Sequence, residues 1–510
     1  MKTDVIIVGA GPSGLALAGQ LIRYGVDFVI LDKKETTTPF SKAIGVQART
    51  LEIYEQIGLA DKLISLGAIA GKARMIVSGE VRGEINFDEI GKGMSAYPYV
   101  LIVEQGKHEA LLYDFIKSHG RDVLWNTELE SISQTDADVT ANIKNADGTR
   151  EVIGAKYLVA CDGAKSFVRH SLGLKFEGST FERMFYVADV EIDWKFSHDA
   201  LMVFLMKNNL LAFFPMVGGE KSWRIVGTFP EEFAKDEGDV LYEEIEAQIK
   251  KDSEVELDIT KVNWFSTYKV HTRHVERFSS GRCFLAGDAA HIHTPAGAQG
   301  MNTGIQDGYN LAWKIASVLQ QNAPVELLET YNTERLENAI RLLKTTDRMF
   351  NFVASPEPIL SYLRTHILPH IAGAAFSLDT VKKFVFPIIS QTGINYHHSP
   401  VSRTDGDFNV KGGDRMPYFE TQGANVYEKL KQPKFHLLTF FDGVNNFADF
   451  TEMLKNGAID LHEITLYPNI TEIFGASRSF MILLRPDNYI GLISNDVSGA
   501  ELSKYLTELF

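Results

Sequence analysis

The amino-acid sequence predicts a multidomain α/β (α+β) protein. A parallel α/β unit is interrupted by an antiparallel β-sheet and resumed beyond it, and a further α/β unit follows. Three observations predict this. Residues 4–31 read as strand, tight glycine turn, helix and strand. From Phe185 to Phe229 short apolar runs succeed one another with turn residues between them. From Arg282 the strand-then-helix pattern returns. The length of 510 residues agrees, because about 150 residues per domain gives about three domains.

In chain order, Asp4–Val8 is an apolar run that reads as a buried strand, and Gly9-Ala10-Gly11-Pro12-Ser13-Gly14 is the turn. Leu15–Arg23 is a helix with small residues in its first turns, and Val26–Leu31 is the second strand. The runs Phe185–Ile192, Ala200–Met206, Leu210–Val217 and Ser222–Phe229 predict an antiparallel sheet, with Gly218-Gly219 turning between the last two. Val240–Lys251 reads as a helix, with Leu241, Ile245 and Ile249 at four-residue steps. Cys283–Ala286 is a strand and Met301–Leu319 a helix, and helical sequence runs on to about Phe386. The last segment shows strands at Phe435–Phe441, Ser479–Leu484 and Tyr489–Ile493 and a closing helix at Glu501–Phe510. The expected division is a split first domain of residues 1–180 and 278–350, a sheet domain of 181–277, a helical connection of 351–398 and a last domain of 399–510.

Hydrophobic residues make up 45% and charged residues 23%, which excludes a wholly disordered or fibrous chain. The net charge of −15 argues against a nucleic-acid partner, which asks for a basic footprint. Two cysteines, Cys161 and Cys283, make neither a disulfide framework nor a four-cysteine zinc site and suit a reducing, cytoplasmic setting. The opening apolar run meets glycines after Val8, so no signal peptide is expected. The most apolar stretch, Ile359–Ile389, is broken by Arg364, His366, Pro369, His370, Lys382, Lys383 and Pro387, so no spanning helix is expected.

Gly9-x-Gly11-x-x-Gly14 lies between a strand and a helix, and Asp32 ends the second strand 18 residues on (32 − 14 = 18). The first glycine permits the turn, the second lets backbone approach a pyrophosphate, and the third lets helix and strand pack closely. The helix start, with Pro12 and Ser13, supplies free N–H groups and a positive dipole end, and Asp32 accepts from a ribose. This is a Rossmann-like dinucleotide fingerprint, shared by NAD and FAD proteins alike.

Two further motifs decide between them. One is Cys161-Asp162-Gly163-Ala164-Lys165-Ser166-Phe167-Val168-Arg169, after the apolar run Tyr157–Ala160. The other runs Gly281-Arg282-Cys283-Phe284-Leu285-Ala286-Gly287-Asp288-Ala289-Ala290-His291 and continues through Pro295-Ala296-Gly297-Ala298-Gln299-Gly300-Met301-Asn302. With all three in order over roughly residues 1–350, the chain resembles the class A flavoprotein monooxygenases, the family of para-hydroxybenzoate hydroxylase and phenol hydroxylase. Gly300, Gly304, Gly308 and Ala312 fall on one face of the following helix, where each glycine costs about 1 kcal/mol against alanine, so close approach of a cofactor or a strand is expected there.

The resemblance implies an FAD site formed by Gly9, Gly11, Pro12, Ser13, Gly14, Asp32, Lys33, Lys42, Gln105, Asp162, Gly163, Arg169, Gly287, Asp288, Pro295, Gly300, Met301 and Asn302. In it Asp288 would bond the ribityl chain, the backbone N–H groups of Met301 and Asn302 the pyrimidine end of the ring, and Pro295 would sit beside its reactive edge. Arg224 resembles a family arginine that holds the flavin near substrate, so Arg224 and Pro295 are the expected catalytic residues. Asp32 stands where the family usually has glutamate, and Lys42 where many members have arginine and its planar fork. The last domain resembles the thioredoxin-like domain of the phenol and polyketide hydroxylase branch, with Leu484-Arg485-Pro486-Asp487-Asn488-Tyr489 matching a recurrent hairpin. Residues 399–510 contain no cysteine, which excludes thiol exchange there.

The implied activity is hydroxylation of an aromatic or polyketide-like small molecule with O2, through a flavin C4a-hydroperoxide. NADPH or NADH would be the transient reductant, since no second fingerprint exists for it. The implied assembly is a monomer or homodimer. Phe213, Phe214, Met216 and His293 are expected to line the substrate space. Two alternatives stand beside this reading. One is a flavin monooxygenase that inactivates an antibiotic of the rifampicin or tetracycline type. The other is a metallohydrolase using Asp288, His291 and His293, although the flanking glycines fit a flavin turn and no metal is expected.

Overall fold

The computed structural model describes residues 1–509 except 40–42, 208, 231–232, 234–238, 295–298, 322, 355–356, 369–378, 422, 449, 451–453 and 455–456. Lys42 and Pro295 therefore lie outside the described residues.

A six-stranded sheet forms the first layer, in the order Ser279–Ser280, Cys283–Leu285, Tyr157–Ala160, Val5–Val8, Phe28–Leu31, Val123–Leu124. All pairings are parallel except the short hairpin between the first two strands. Val5–Val8 is buried along its length, as a central parallel strand with both faces covered should be. Cys283–Leu285 inserts directly beside Tyr157–Ala160, so residues far apart in sequence complete one sheet. The helices Pro12–Tyr24 and Gly300–Gln320 pack on this sheet, and the first ends on Gly25 in the left-handed region.

The glycine face of Gly300–Gln320 meets the first helix and the Gly287 turn. A Cβ on Gly308 would lie 3.0 Å from Leu17 Cβ, and one on Gly304 would lie 2.3 Å from Ser13 Oγ. At Gly308 the expected cofactor or strand is replaced by the first helix, whereas Gly304 packs on Ser13 and, at 3.0 Å, on Gly287 Cα at the turn that ends a strand.

The second layer is an eight-stranded sheet in the order His291–Ile292, Leu257–Val275, Phe176–Trp194, Ser222–Thr228, Leu210–Pro215, Ala200–Leu205, Lys72–Val77, Glu80–Asn86. It is wider than the apolar runs predict. The hairpin Lys72–Asn86 joins it by a parallel pairing to Ala200–Leu205, and Leu257–Val275 pairs along Phe176–Trp194. Leu257–Val275 escaped the sequence reading because much of it is only half-covered and polar residues interrupt its apolar pattern. The helix Tyr242–Ser253 covers one face through Ile245 and Ile249.

Beyond the long helix Glu329–Ala354, the last unit is built on a mixed five-stranded sheet. Its order is Arg403–Asp405, Ile490–Ser494, Phe480–Leu484, Phe435–Phe441, Ile459–Thr465, with the helix Ala500–Leu509 closing the chain. Cys161 and Cys283 are buried and unpaired, and burial pushes both thiols up, Cys283 to about 12; they are packing residues. Among the described residues no helix is long and apolar enough to cross a membrane.

Candidate active site

Four neighbouring parallel strands of the first sheet end on one edge, and each hands over to a motif: Val8 to Gly9, Leu31 to Asp32, Ala160 to Cys161-Asp162, and Leu285 to Gly287-Asp288. In open parallel sheets this carboxyl edge is where ligands bind. The three glycines of the turn divide their work. Gly9 has φ +105°, and a Cβ on it would lie 2.3 Å from the Cys161 carbonyl oxygen. A Cβ on Gly14 would lie 2.0 Å from the Gly9 carbonyl oxygen, so this turn and helix pack only without one. At Gly11, by contrast, no atom lies within 4 Å of where a Cβ would point. Pro12 occupies the first helical turn, and no side chain caps the helix start at Gly11. An uncapped helix N-terminus beside a cradle that a Cβ would fill fits a pyrophosphate.

Asp32 is buried, and its carboxylate accepts from the Ala10 N–H at 2.7 Å and the Lys34 N–H at 2.8 Å. Lys33 is exposed beside it. Gln105 opens the helix Gln105–Ser118 and donates to Glu109 Oε1 at 2.8 Å, while its Oε1 accepts from the Ala43 N–H at 3.3 Å. Glu109 also accepts from the Thr38 N–H at 2.8 Å, and the Lys34 ammonium lies 3.8 Å from both Asp32 and Glu109. Glu109 was not anticipated; its place four residues after Gln105, on the same helix face, was the available signal.

Gly163 has φ +79°, and Asp162 Oδ2 accepts from the Val168 N–H at 3.2 Å. Asp162 Oδ1 is buried without a hydrogen-bond partner among the described residues, and burial pushes the carboxyl up. Arg169 donates to the carbonyls of Ala289 and Ala164 at 2.9 and 2.8 Å and lies 3.9 Å over the Phe176 ring. It ties the second motif to the third, with one N–H of each terminal guanidinium nitrogen given to a backbone carbonyl and Nε buried without a partner among the described residues.

Asp288 is exposed at the end of its strand, on a short turn, Gly287–Ala289, that Asp307 holds from beneath. The fully buried Asp307 accepts from the Gly287 N–H and from His291 Nε2, both at 2.8 Å, and from Arg335 Nε at 2.6 Å. Burial alone would raise its pKa, but the charges of Arg335 and His291 hold it below the usual carboxylate value. Neither Asp307 nor Arg335 stood out in the sequence, because their pairing joins two helices that only the fold brings together.

Gly300 opens the helix Gly300–Gln320 with no side-chain cap, and Met301 is half-buried. Asn302 is fully buried. Its side chain accepts from the Gln47 N–H at 2.9 Å and Thr50 Oγ1 at 2.8 Å and donates to the Gly45 carbonyl at 2.8 Å. Asn302 thus locks the helix start against the strand Gly45–Val46 and the helix Ala48–Glu55.

On the second sheet Arg224 is 1% exposed. It holds the carboxylate of its cross-strand neighbour Asp189 with two bonds of 2.5 Å, and its guanidinium carbon lies 5.6 Å from the centre of the Trp264 ring. It is not a solvated strand arginine. Alternation along Leu210–Pro215 separates the expected pocket residues. Phe213 is fully buried against Trp194 and Phe204 in the core under Tyr242–Ser253, which corrects its assignment to the pocket. Phe214, half-buried and opposite Arg224, and Met216 lie on the other side with Ile44, Ala48 and Phe386.

His293 Nδ1 donates to the Thr294 carbonyl at 2.7 Å, which leaves Nε2 as a buried acceptor near Gly300. Burial holds its pKa at about 4. His291 and His293 are each committed to a protein partner, and among the described residues no group of three His, Cys, Asp or Glu side chains could hold a metal ion. The metallohydrolase alternative finds no support in this arrangement.

The fold and the motif edge define a dinucleotide-binding protein of the flavin type. Residues 2–346 match the family model described as FAD binding domain, and the chain belongs to that family. It is 30% identical to a flavin-dependent monooxygenase of Mycobacteroides abscessus, with 99% of each chain covered. It is 32% identical to the 6-methylpretetramide 4-monooxygenase of Streptomyces rimosus, covering 96% of this chain and 90% of the relative. Among solved structures, the anhydrotetracycline hydroxylase OxyS from Streptomyces rimosus superposes with a TM-score of 0.77 at 26% identity, covering 100% of this chain and 99% of that one.

Proposed function

We propose that this chain is an FAD-dependent monooxygenase that hydroxylates an aromatic or polyketide-like small molecule, with NADPH or NADH as reductant. The observation that carries the reading is the shared edge: the glycine turn, Asp32, Asp162-Gly163 and Gly287-Asp288 all leave the carboxyl ends of adjacent parallel strands. The start of the helix Pro12–Tyr24 would hold the pyrophosphate, Asp32 a ribose, Asp288 the ribityl chain, and the N–H groups of Met301 and Asn302 the pyrimidine end of the ring. Bound FAD, once reduced, supplies the activation of O2. The protein orients it, keeps water out and positions the substrate. Arg224, fixed by Asp189, and the half-buried Phe214 with Met216 face the side on which substrate would lie, and His293 places Nε2 as an acceptor close to the helix start at Gly300.

Along residues 435–494 a parallel pair of strands, Phe435–Phe441 and Ile459–Thr465, is followed by the antiparallel pair Phe480–Leu484 and Ile490–Ser494, which supports the thioredoxin-like reading of the last unit. Two of the proteins named above are a 6-methylpretetramide monooxygenase and an anhydrotetracycline hydroxylase, which supports a polyketide-like substrate.

Purified protein is expected to be yellow, and Asp288→Ala is expected to lose FAD on gel filtration; retention of stoichiometric FAD by Asp288→Ala would reduce that residue to a turn former. A panel of phenols, anthracyclic polyketides and tetracycline or rifamycin antibiotics, followed by reductant oxidation and O2 uptake, is expected to yield a hydroxylated product in step with oxygen consumed. FAD-independent turnover, or no oxygen uptake with any of them, would reject the monooxygenase reading.

A further inference from the structure

The hairpin around Arg485-Pro486-Asp487 carries buried charge into the flavin-binding half of the molecule. Arg485, Glu334, Lys314, Arg335 and Asp307 all have fully buried side chains. Arg485 donates to both oxygens of Glu334, at 2.7 and 3.0 Å, and Ser399 Oγ adds a bond of 2.7 Å. From the helix Gly300–Gln320, Asn310 and Lys314 reach the same carboxylate at 2.6 and 2.8 Å. The next residue, Arg335, bonds Asp307 Oδ1 at 2.6 Å and the Thr303 carbonyl at 3.1 Å, and donates to Tyr396 Oη at 2.8 Å. Tyr396 in turn lies against Tyr489 of the hairpin, with ring centres 4.4 Å apart.

The same hairpin grips the opposite wall. Arg49 donates to the Asp487 carbonyl at 2.9 Å and pairs with Glu52, which also takes Arg415 at 3.1 Å. Arg49 and Glu52 sit on the helix Ala48–Glu55 that Asn302 holds through Thr50. One C-terminal hairpin therefore fixes both Asp307, which carries the Gly287–Asp288 turn, and the helix against which Asn302 is locked.

We infer that the buried network joining the C-terminal hairpin to the two long helices is a positioning element of the cofactor site: Arg485, Glu334, Arg335 and Tyr396 set the placement of the Gly287–Asp288 turn through Asp307, so that an intact network raises affinity for FAD. The inference rests on the reading of Asp288 as a cofactor ligand. Buried charges of this kind have one low-energy arrangement, because each carboxylate oxygen and guanidinium nitrogen must find its partner or remain desolvated and unpaired. A shift of the hairpin is thereby transmitted to Asp307 as a change of partners.

The test uses full-length apoprotein of Glu334→Gln, Tyr396→Phe, Asp288→Ala and, as a comparator, Ile470→Ala. Ile470 is buried in the core of the last unit and makes none of the bonds described. FAD binding is measured by quenching of flavin fluorescence, and the environment of bound flavin by visible circular dichroism, each well below the variant's Tm. Glu334→Gln and Tyr396→Phe are expected to weaken FAD at least tenfold and to alter the dichroism at saturation. Ile470→Ala is expected to lower Tm and leave both within twofold of the parent. Tyr396→Phe removes one hydroxyl and carries the test should Glu334→Gln fail to fold. If both network variants bind FAD like the parent with an unchanged spectrum while Asp288→Ala loses it, the coupling is overturned and the site reading survives. If Asp288→Ala keeps FAD, the site reading itself falls.

Discussion

Gly11→Ala separates the demands of the fold from those of the cofactor. Gly11 has φ −84° and ψ −174°, extended backbone that alanine adopts without strain, and no atom lies within 4 Å of the added Cβ. The apoprotein should therefore keep its stability to within about 1 kcal/mol, the range set by the lost chain entropy of glycine on one side and its better capping on the other. FAD should respond very differently. If the pyrophosphate lies against this backbone, a methyl group there forces the kind of crowding that costs about 1–3 kcal/mol, or roughly a fivefold to 150-fold rise in Kd. The assay pairs thermal unfolding of the apoprotein with titration of FAD by fluorescence quenching. A Gly11→Ala apoprotein that is stable and binds FAD within twofold of the parent would refute the cradle argument. An apoprotein that is itself unfolded would refute the reading of the open Cβ direction.

Gly14→Ala should do the reverse: its Cβ falls 2.0 Å from the Gly9 carbonyl oxygen, so the helix gain of about 1 kcal/mol is outweighed and urea unfolding of the apoprotein should show a net loss of roughly 1–2 kcal/mol. Burial holds the pKa of His108 and of His436 at about 4, below the unfolded value near 6.5, so both fold neutral. The stability they contribute is complete above pH 6.5 and is lost as pH falls towards 4, by up to about 3 kcal/mol each; urea midpoints that do not change between pH 7.5 and 5 would contradict this. Arg224→Lys keeps the charge but gives up the planar two-bond grip on Asp189, and stopped-flow reduction of the bound flavin should slow at least tenfold. A lower Tm with unchanged reduction would confine Arg224 to the ion pair.

Much of the site was legible because its motifs are short-range. The spacing of Gly9, Gly11, Gly14 and Asp32 encodes a turn, a helix start and a strand end within a few dozen residues, and each lies in the fold where that spacing implies. The strands Phe435–Phe441 and Phe480–Leu484 were likewise readable: both are buried along nearly their whole length, the second is continuously apolar, and only His436 and Thr439 interrupt the first. Ile459–Thr465 was not, because buried, half-buried and exposed residues mix along it. Phe213 and Phe214 show the limit within one strand: both are aromatic, and only the pleat and the layer beneath decide which one is core.

By itself, then, the sequence determined a dinucleotide-binding turn, the α/β character and the return of the first unit beyond the antiparallel sheet, since these follow from local turn chemistry and hydrophobic period, while the choice of FAD came from the resemblance of three ordered motifs to a known family. The tertiary structure alone decided that Gly308 serves a neighbouring helix and that Arg169 serves two backbone carbonyls. It alone decided, too, that Asp307 carries the Gly287–Asp288 turn and that Arg485 reaches Glu334 across 151 positions of chain. The physical reason is the same in each case. A buried charge or a missing Cβ is explained by the atom it meets, and that atom is brought there by packing between segments whose separation in sequence carries no record of the encounter.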